Sequence, residues 1–222
     1  RGLGDVYKRQ EETLAAKGKD EALHLVKDML HNPGSVVYVR QQQPAGLGHA
    51  VWCARHLVGS EPVAVLLADD LILGASCVKE MVDAYKGGNM VAVMDVPHEQ
   101  TGSYGIVTPG ADDGRIVQVE GLVEKPDPSS APSNIAVVGR YIITPEVFET
   151  LAAQERGAGG EIQLTDALAK QIGKAPFSGV RFSGERFDCG SKLGFLQANV
   201  AFGLNNDAMR DQLRDWLGER LG

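Results

Sequence analysis

The sequence is short of the residue types that mark several classes of protein. Its 222 residues contain three cysteines, Cys53, Cys77 and Cys189, which are far apart and odd in number. Neither a disulfide framework nor a Cys-x-x-Cys metal site fits them, and a reducing compartment is the simpler interpretation. Apolar runs are short, since none approaches the roughly 20 residues that span a bilayer, and residues 1–10 have no apolar signal core. We therefore expect a cytoplasmic protein without a membrane segment.

Clusters of basic residues are also lacking. The chain carries 29 acidic and 22 basic side chains, a net charge of -7, and its two most basic stretches, Lys8-Arg9 and Lys17-Gly18-Lys19, are short. Because binding to a phosphate backbone depends on clustered Lys and Arg, nucleic acid is not an expected partner. The chain also begins without Met. We expect a fragment in which residues 1–10 are a foreign or disordered leader and residues 11–222 form a single domain.

Helical and apolar patterns alternate through the first half of the chain. The patterns predict a helix over residues 11–30, a strand over 35–40, and a wholly apolar strand over Val63–Leu67 that is covered on both faces. Ser76 is a plausible N-cap for the helix that follows. From Gly105 onward, strands are joined by turns rich in Gly, Asp and Pro, with little helix between them. This order predicts one α/β domain with a mixed central sheet and a β-rich insertion.

Acidic residues follow apolar segments at two places. Asp69 and Asp70 come directly after the apolar strand, and Asp188 lies just before Gly190 and a helix. Ligands of open α/β sheets bind beyond the carboxyl ends of strands, and Mg²⁺ takes one or two carboxylates together with phosphates and water. We interpret the aspartate pair as metal-binding, with only one of the two facing the ligand, and Asp188 as a second carboxylate for the same cation. A helix N-cap or a solvated turn is the alternative for the aspartate pair, and a helix N-cap is the alternative for Asp188.

Three further stretches have residue types suited to a nucleotide or a sugar phosphate. Gln41 begins a run of three glutamines whose amides can match a base edge, and Gly46 lets a ligand approach the backbone closely. Glu124 can accept hydrogen bonds from vicinal hydroxyls, while Lys125 and Lys192 can neutralise phosphates. The alternatives are an ordinary strand-to-helix turn for the glutamine stretch and an exposed ion pair for Glu124 and Lys125.

Taken in order, these stretches resemble a known family. The chain is similar to bacterial UTP–glucose-1-phosphate uridylyltransferases, also called UDP-glucose pyrophosphorylases, from about Glu11 to its C terminus. The matching strings are "VRQ…GLGHAV", "PVAVLLADDLIL", "YGIV", "VEKP…APSNIAVVGRYI", "GGEIQLTDAL" and "FDCGSKLGFLQA". The resemblance implies a Rossmann-like nucleotidyltransferase (GT-A-like) fold that joins UTP and glucose 1-phosphate into UDP-glucose and pyrophosphate, with Mg²⁺ as cofactor. It also suggests a homodimer or homotetramer.

The resemblance assigns the sugar-phosphate residues. Gly105 matches a glycine that lies against the sugar, and Gly139 falls in the strand that lines the sugar pocket. Glu124 matches the carboxylate that holds the sugar hydroxyls, and Lys125 matches the lysine on the sugar phosphate. These two neighbours would hold opposite ends of one sugar phosphate.

The resemblance also assigns the nucleotide and metal residues. Gln41 matches the glutamine that reads uracil, and Gly46 matches the glycine packed beside the nucleotide. Asp69 matches the Mg²⁺-binding aspartate, and Asp188 matches a second acid at the phosphates. Asp69, Lys125 and Asp188 are accordingly the predicted catalytic residues.

The chain departs from the family at its front. The family begins with a strand and a glycine-rich loop of the type GxGTRxLPxTKxxPKxxLP, which nothing in this sequence matches. Because that loop cradles the triphosphate, we expect the chain by itself to be weakly active or inactive. A transferase for dTTP or for another sugar 1-phosphate is one alternative, since uracil and thymine share an imide edge. A non-catalytic nucleotide-sugar-binding or regulatory subunit is another.

Overall fold

The computed structural model of the chain describes residues 3–29, 32 and 34–222. The chain divides into two compact units, Arg1–Arg40 and Gln41–Gly222. Each unit has its own internal packing.

The first unit consists of two helices followed by an extended segment. Helix α1 spans Leu3–Ala16 and helix α2 spans Asp20–Asp28. The prediction of one continuous helix over 11–30 is therefore wrong, because the chain turns at Gly18, whose φ is +60°; its last residue, Leu30, lies outside the described residues. Residues 35–40 form no strand and are exposed. Their β-branched side chains alone do not make a strand, because a strand requires a hydrogen-bonded partner.

The proposed leader overlaps the first helix, since α1 begins at Leu3. Arg1 and Gly2 lie outside the described residues. The foreign origin of residues 1–10 and the single domain over 11–222 stay predictions.

The second unit is built on strands with helices on both faces. Its strands are β1 (Val63–Leu66), β2 (Asp70–Leu73), β3 (Asn89–Asp95), β4 (Gly105–Asp112), β5 (Ile116–Glu124), β6 (Ile135–Ile143), β7 (Phe177–Arg181) and β8 (Glu185–Asp188). Its α-helices are α3 (Leu47–Cys53), α4 (Cys77–Ala84), α5 (Pro145–Leu151), α6 (Leu164–Ala169), α7 (Lys192–Leu204) and α8 (Arg210–Leu221).

The central sheet has the strand order β1-β6-β3-β7-β5-β4. Strands β3 and β7 are parallel, whereas the other neighbouring pairs are antiparallel, so the predicted mixed sheet is confirmed. The β-rich region predicted from Gly105 onward supplies β4, β5 and β6 of this sheet. Strand β1 lies at the edge, and Leu66 is 52% exposed. The prediction that this strand is covered on both faces is therefore wrong.

Strand β3 shows how both faces of the sheet are covered. Val91 and Val93 point into the cluster that contains α5 and α6, whereas Met90 and Ala92 point into the cluster that contains α4. Successive side chains of a strand point to opposite faces, so a strand between two helical layers is apolar throughout. Each large side chain buried in this way contributes about 1.5–3 kcal/mol.

The start of α4 follows the predicted capping pattern. Ser76 accepts a hydrogen bond from the backbone N–H of Lys79 at 3.3 Å. This bond satisfies one of the otherwise unpaired N–H groups of the first turn. The helix then packs beneath the sheet through Cys77 and Met81.

Strands β2 and β8 form a separate two-stranded antiparallel ribbon. Its register pairs Asp70 with Asp188 at one end and Leu73 with Glu185 at the other. The ribbon therefore brings two acidic segments, more than one hundred residues apart in the sequence, side by side.

Candidate functional site

A polar cleft of about 340 Å³ opens between the central sheet and the β2–β8 ribbon. It lies beyond the end of β1, as expected for a ligand site in an α/β protein. The polar residues of its lining are Asp69, Asp70, Ser103, Tyr104, Glu124, Lys125, Tyr141, Glu161, Gln163, Thr165, Arg186 and Asp188. The cleft thus gathers most of the acidic and basic residues that the sequence singled out.

Two carboxylates converge at one end of the cleft. The backbone N–H of Cys189 donates to the Asp69 carbonyl oxygen at 2.7 Å, which holds the two acidic segments together. A Cβ atom at Gly190 would lie 3.0 Å from Asp188 Oδ1 and 3.2 Å from Asp69 Oδ2. Both carboxylates therefore border the same small space, which a side chain at position 190 would fill.

The neighbouring Asp70 points the other way, into the protein. Its Oδ2 accepts from the backbone N–H of Gly139 at 2.8 Å, and its Oδ1 pairs with the Arg186 guanidinium. Asp70 is buried whereas Asp69 is exposed. Both residues contribute to the cleft lining, and the prediction that only one aspartate of the pair faces the ligand stays a prediction.

The charge of Arg186 is maintained although its side chain is largely buried. Burial lowers the pKa of the guanidinium, but the charge of Asp70 and the hydrogen bonds to Asp70 and Tyr104 raise it, and the net pKa lies above the ordinary value. Arg186 therefore remains cationic and pairs with Asp70. Among the described residues no cationic side chain pairs with Asp69 or Asp188, and Asp188 Oδ1 accepts only from the backbone N–H of Gly190, at 3.0 Å.

Glu124 and Lys125 lie at the other end of the cleft. Lys125 Nζ is 3.9 Å from Glu124 Oε1, and the Glu124 side chain is only 12% exposed. Gly105 is the cross-strand partner of Glu124, and a Cβ there would lie 3.3 Å from Glu124 Oε2. The absent side chain leaves the carboxylate open to the cleft.

Lys125 has an unusual backbone conformation for a residue with a side chain. Its φ is +46°, in the left-handed region that non-glycine residues rarely adopt. Its N–H donates to the carbonyl of Tyr104 at 2.9 Å, which fixes the turn. The conformation carries the ammonium group around the end of β5 into the cleft lining.

Gln41 and Gly46 lie near the cleft but do not line it; Leu47 does. Gln41 Nε2 donates to the Gly46 carbonyl at 3.1 Å and contacts His49 Nδ1 at 2.9 Å. Gly46 has a φ of +106°, and a Cβ there would lie 2.7 Å from the Ile162 carbonyl oxygen. The glycine is thus required by its backbone packing, and among the described residues no hydrogen bond reaches the oxygen of the Gln41 amide.

Gly139 and Lys192, the remaining predicted residues, differ in their relation to the cleft. Gly139 lines the cleft, and its N–H holds Asp70; a Cβ there would lie 2.2 Å from Asp70 Oδ2. Lys192 begins α7, is exposed and does not line the cleft.

The sequence analysis missed seven polar residues of the cleft lining: Ser103, Tyr104, Tyr141, Glu161, Gln163, Thr165 and Arg186. Burial, followed by the nearby charges of Glu124 and Asp70, raises the pKa of the Tyr141 phenol, so its hydroxyl keeps its proton. Arg186 was detectable in principle, because it lies two residues before Asp188 and alternate residues of a strand share a face. Nothing in the sequence indicated that the tyrosines face the same cleft.

The acids of the cleft suit a cation that shares its ligands with a substrate. Within residues 3–29, 32 and 34–222, no group of three or more His, Cys, Asp or Glu side chains is arranged to hold a metal ion by itself. Two oxygen ligands beside an open cleft are nevertheless the donor set that Mg²⁺ uses when phosphates and water complete its coordination. Asp69 and Asp188 therefore fit the ion.

The helices were also compared with the needs of a membrane span. Over the part of the chain that the structure describes, no helix combines the length and the apolar content needed to cross a bilayer.

Comparison with known families identifies the class of protein to which this fold and cleft belong. A family model described as nucleotidyl transferase matches residues 12–203, most of the chain. The fold and its cleft therefore belong to a nucleotidyltransferase domain.

Curated relatives and solved structures narrow the class. The UTP–glucose-1-phosphate uridylyltransferase of Komagataeibacter xylinus is 47% identical over 96% of this chain and 74% of its own length. The UTP–glucose-1-phosphate uridylyltransferase of Bacillus subtilis is 45% identical over 91% of this chain and 70% of its own length. A UDP-glucose pyrophosphorylase complexed with UDP-glucose has a TM-score of 0.79 at 37% identity, covering 85% of this chain and 73% of that chain. A UTP-bound UGPase from Acinetobacter baumannii has a TM-score of 0.83 at 35% identity, and the match covers 95% of this chain and 75% of that chain. The chain belongs to the nucleotidyltransferase family, among the UTP–glucose-1-phosphate uridylyltransferases.

Proposed function

We propose that the protein transfers the uridylyl group of UTP to glucose 1-phosphate, giving UDP-glucose and pyrophosphate. One structural observation carries the proposal: Asp69 and Asp188 converge at Gly190 in the same cleft that Glu124 and Lys125 line. The names of the relatives at 40–47% identity support the substrates.

In this proposal the Glu124 end of the cleft binds the sugar phosphate. The Glu124 carboxylate accepts hydrogen bonds from sugar hydroxyls, and Gly105 leaves room for the ring. Lys125, whose side chain is 54% exposed, reaches the phosphate as a point charge. Because the two residues are adjacent, they fix the distance between the hydroxyls and the phosphate.

Asp69 and Asp188 would hold Mg²⁺ at the opposite end. The ion, when bound, neutralises the charge of the phosphates on which the reaction takes place. Asp70 is excluded from this role, because both of its carboxylate oxygens already have partners inside the protein.

The reaction needs no covalent enzyme intermediate, because the nucleophile is already an anion. An oxygen of the sugar phosphate forms a bond to the α-phosphorus of UTP, and the bond between that phosphorus and the bridging oxygen of pyrophosphate breaks. The electron pair leaves with pyrophosphate. Lys125 orients the attacking phosphate, so the contribution of the protein is positioning and charge neutralisation.

The nucleotide is assigned to the turn before α3. Gln41 accepts from the imide of uracil through its free amide oxygen, Gly46 allows the backbone to lie beside the nucleotide, and Lys192 neutralises phosphate charge. The hydrogen bonds of Gln41 to Gly46 and His49 support a fixed amide orientation.

The assembly and the compartment are part of the proposal as well. We assign the protein to the cytoplasm, as a homodimer or homotetramer, on the basis of the family and of the free cysteines. Light scattering coupled to gel filtration measures the oligomeric state; a monomer at micromolar concentration would contradict this part.

Ligand binding tests the proposed substrates and does not depend on the rate of turnover. Isothermal titration calorimetry in Mg²⁺ is expected to show binding of UDP-glucose and UTP to the purified chain, with weaker binding of GDP-mannose. Equal or tighter binding of dTTP and dTDP-glucose would shift the assignment to a thymidylyltransferase. If none of these nucleotides and nucleotide sugars binds, the proposal is rejected.

A further inference from the structure

The Arg186 side chain lies between the two ends of the cleft. It is on β8, two residues before Asp188, and only 11% of it is exposed. The side chain of its partner Asp70 is 7% exposed. A pair buried this deeply loses much hydration, so its geometry is fixed by its hydrogen bonds.

On one side the guanidinium pairs with Asp70, and Asp70 in turn fastens the ribbon to the central sheet. Arg186 and Asp70 lie on the two strands of the ribbon, and the second oxygen of Asp70 accepts from Gly139 of β6 at 2.8 Å. Since Asp69 precedes Asp70 and Asp188 follows Arg186, this contact fixes the position of both candidate metal ligands.

The other side of the guanidinium contacts the sugar-phosphate end. Arg186 Nη1 donates to the Tyr104 hydroxyl at 3.1 Å, and its Cζ lies 5.4 Å from the centre of the Tyr104 ring. The carbonyl of Tyr104 accepts from the Lys125 N–H, and the next residue, Gly105, pairs with Glu124. Arg186 therefore contacts Tyr104, and Tyr104 and its neighbour Gly105 contact the two residues proposed to hold the sugar phosphate.

We propose that Arg186 is a positioning residue that sets the distance between the carboxylates of the ribbon and the Glu124–Lys125 turn through Tyr104. This inference rests on the proposed function, which requires both ends to act on one pair of substrates. Arginine suits the role, because its planar fork donates to a carboxylate and to a hydroxyl at the same time, which an ammonium group does not reproduce. Because the guanidinium has only donors, the Tyr104 oxygen accepts and the phenolic proton stays available for another acceptor in the cleft.

Two conservative variants of the full chain test the proposal. Arg186→Lys keeps the charge beside Asp70, and Tyr104→Phe keeps the ring and removes only the hydroxyl. Each is expected to weaken glucose 1-phosphate binding about 3- to 10-fold, the usual contribution of one such hydrogen bond. UTP binding in Mg²⁺ should change less than twofold, because both variants keep a cation beside Asp70 and so leave the ribbon carboxylates in place.

Arg181→Lys is the matched control. Arg181 is also a strand arginine paired with carboxylates, those of Asp95 and Asp112, but it lies away from the cleft. It should leave both affinities unchanged. A purely structural role of Arg186 would instead lower the folded fraction and weaken UTP and glucose 1-phosphate equally, which would overturn the proposal.

The double variant Arg186→Lys/Tyr104→Phe tests whether the two residues act through one contact. It should bind glucose 1-phosphate no more weakly than the worse single variant, because both substitutions break the same bond. Effects that multiply would show independent roles and would contradict the positioning role.

Hydrogen exchange gives a readout that needs no ligand. In Arg186→Lys, the Lys125 amide, which donates to the Tyr104 carbonyl, should exchange about threefold faster or more, with β3 unchanged. If exchange of the Lys125 amide is unchanged in Arg186→Lys while the unsubstituted chain binds its nucleotides, the positioning role of Arg186 is rejected and the proposed function is not. Failure of the unsubstituted chain to bind any nucleotide would reject the proposed function itself.

Discussion

The two ends of the cleft hold acidic residues in different ways. At the ribbon end, Asp69 directly precedes β2 and Asp188 ends β8, two short strands outside the central sheet, and Asp69 is exposed. At the sheet end, Gly105 and Glu124 lie on paired strands of the six-stranded sheet, Lys125 directly follows β5, and the Glu124 side chain is 12% exposed.

The acids also differ in their partners. Among the described residues, no hydrogen bond or ion pair reaches the Asp69 side chain, whereas Glu124 has the ammonium group of Lys125 at 3.9 Å. An exposed acid without a partner can take a cation at little desolvation cost. A half-buried acid beside a lysine instead presents oriented acceptors together with one positive charge. The difference suits the proposed division of the cleft, with a cation at one end and a neutral ring bearing a phosphate at the other.

The largest expected effect is at the ribbon end. Asp69→Asn removes the charge that Mg²⁺ needs and is expected to weaken Mg²⁺-dependent UTP binding about 100-fold, as for the loss of one member of a close charge pair. Calorimetry with and without Mg²⁺ measures it. Asp211→Asn on exposed α8 is the control; wild-type Mg²⁺ dependence in Asp69→Asn would remove the metal role from this end.

Next in size is a pair of glycine substitutions, one for each end. Gly139→Ala places a Cβ 2.2 Å from Asp70 Oδ2 and 2.7 Å from Leu67 Cβ, so it should lower the free energy of unfolding by about 1–3 kcal/mol. Gly105→Ala meets its nearest neighbours at 3.3 Å and should mainly hinder glucose 1-phosphate. Urea denaturation compares the two variants; equal destabilisation would contradict the difference between the ends.

A smaller effect is expected from Glu124→Gln. The variant keeps the shape of the side chain but weakens its acceptors, so glucose 1-phosphate should bind about 5- to 10-fold more weakly while UTP is unaffected. Glu120→Gln, on the same strand, is the matched control. Weakened UTP binding with normal sugar-phosphate binding would reverse the assignment of the ends.

The smallest effect concerns thiol reactivity. Cys189 adjoins Asp188 at the ribbon end, so UTP with Mg²⁺ should slow its alkylation by iodoacetamide about twofold, and glucose 1-phosphate alone should not. Cys77 is the internal reference, because it is 3% exposed and burial raises the pKa of its thiol to about 11. Peptide mass spectrometry measures both rates. Faster reaction of Cys77 than of Cys189 in the folded chain would contradict the packing.

Local patterns predicted the parts of the fold that depend on few residues. The apolar run after Pro62 became β1, and Ser76 caps α4. Residues 35–40 have an equally good strand composition but form no strand. Composition shows that a segment can pair, but whether it does is decided by a partner that is distant in the sequence.

The sequence predicted which charged residues belong to the candidate site better than it predicted how they pair. The sequence located Asp69, Asp188, Glu124 and Lys125, because charged residues at strand ends are recognisable, and all four line the cleft. It did not reveal Arg186, since nothing local shows that its charge is matched by a carboxylate 116 residues away.

The sequence by itself determined the class of fold, the family and the chemical nature of the polar residues, because these follow from local periodicity and from ordered motifs. Only the tertiary structure decided that Asp69 faces the cleft while Asp70 faces the protein interior. The reason is physical: the burial and pairing of a charge depend on which strands meet, and the pairing of β2 with β8 joins segments more than one hundred residues apart.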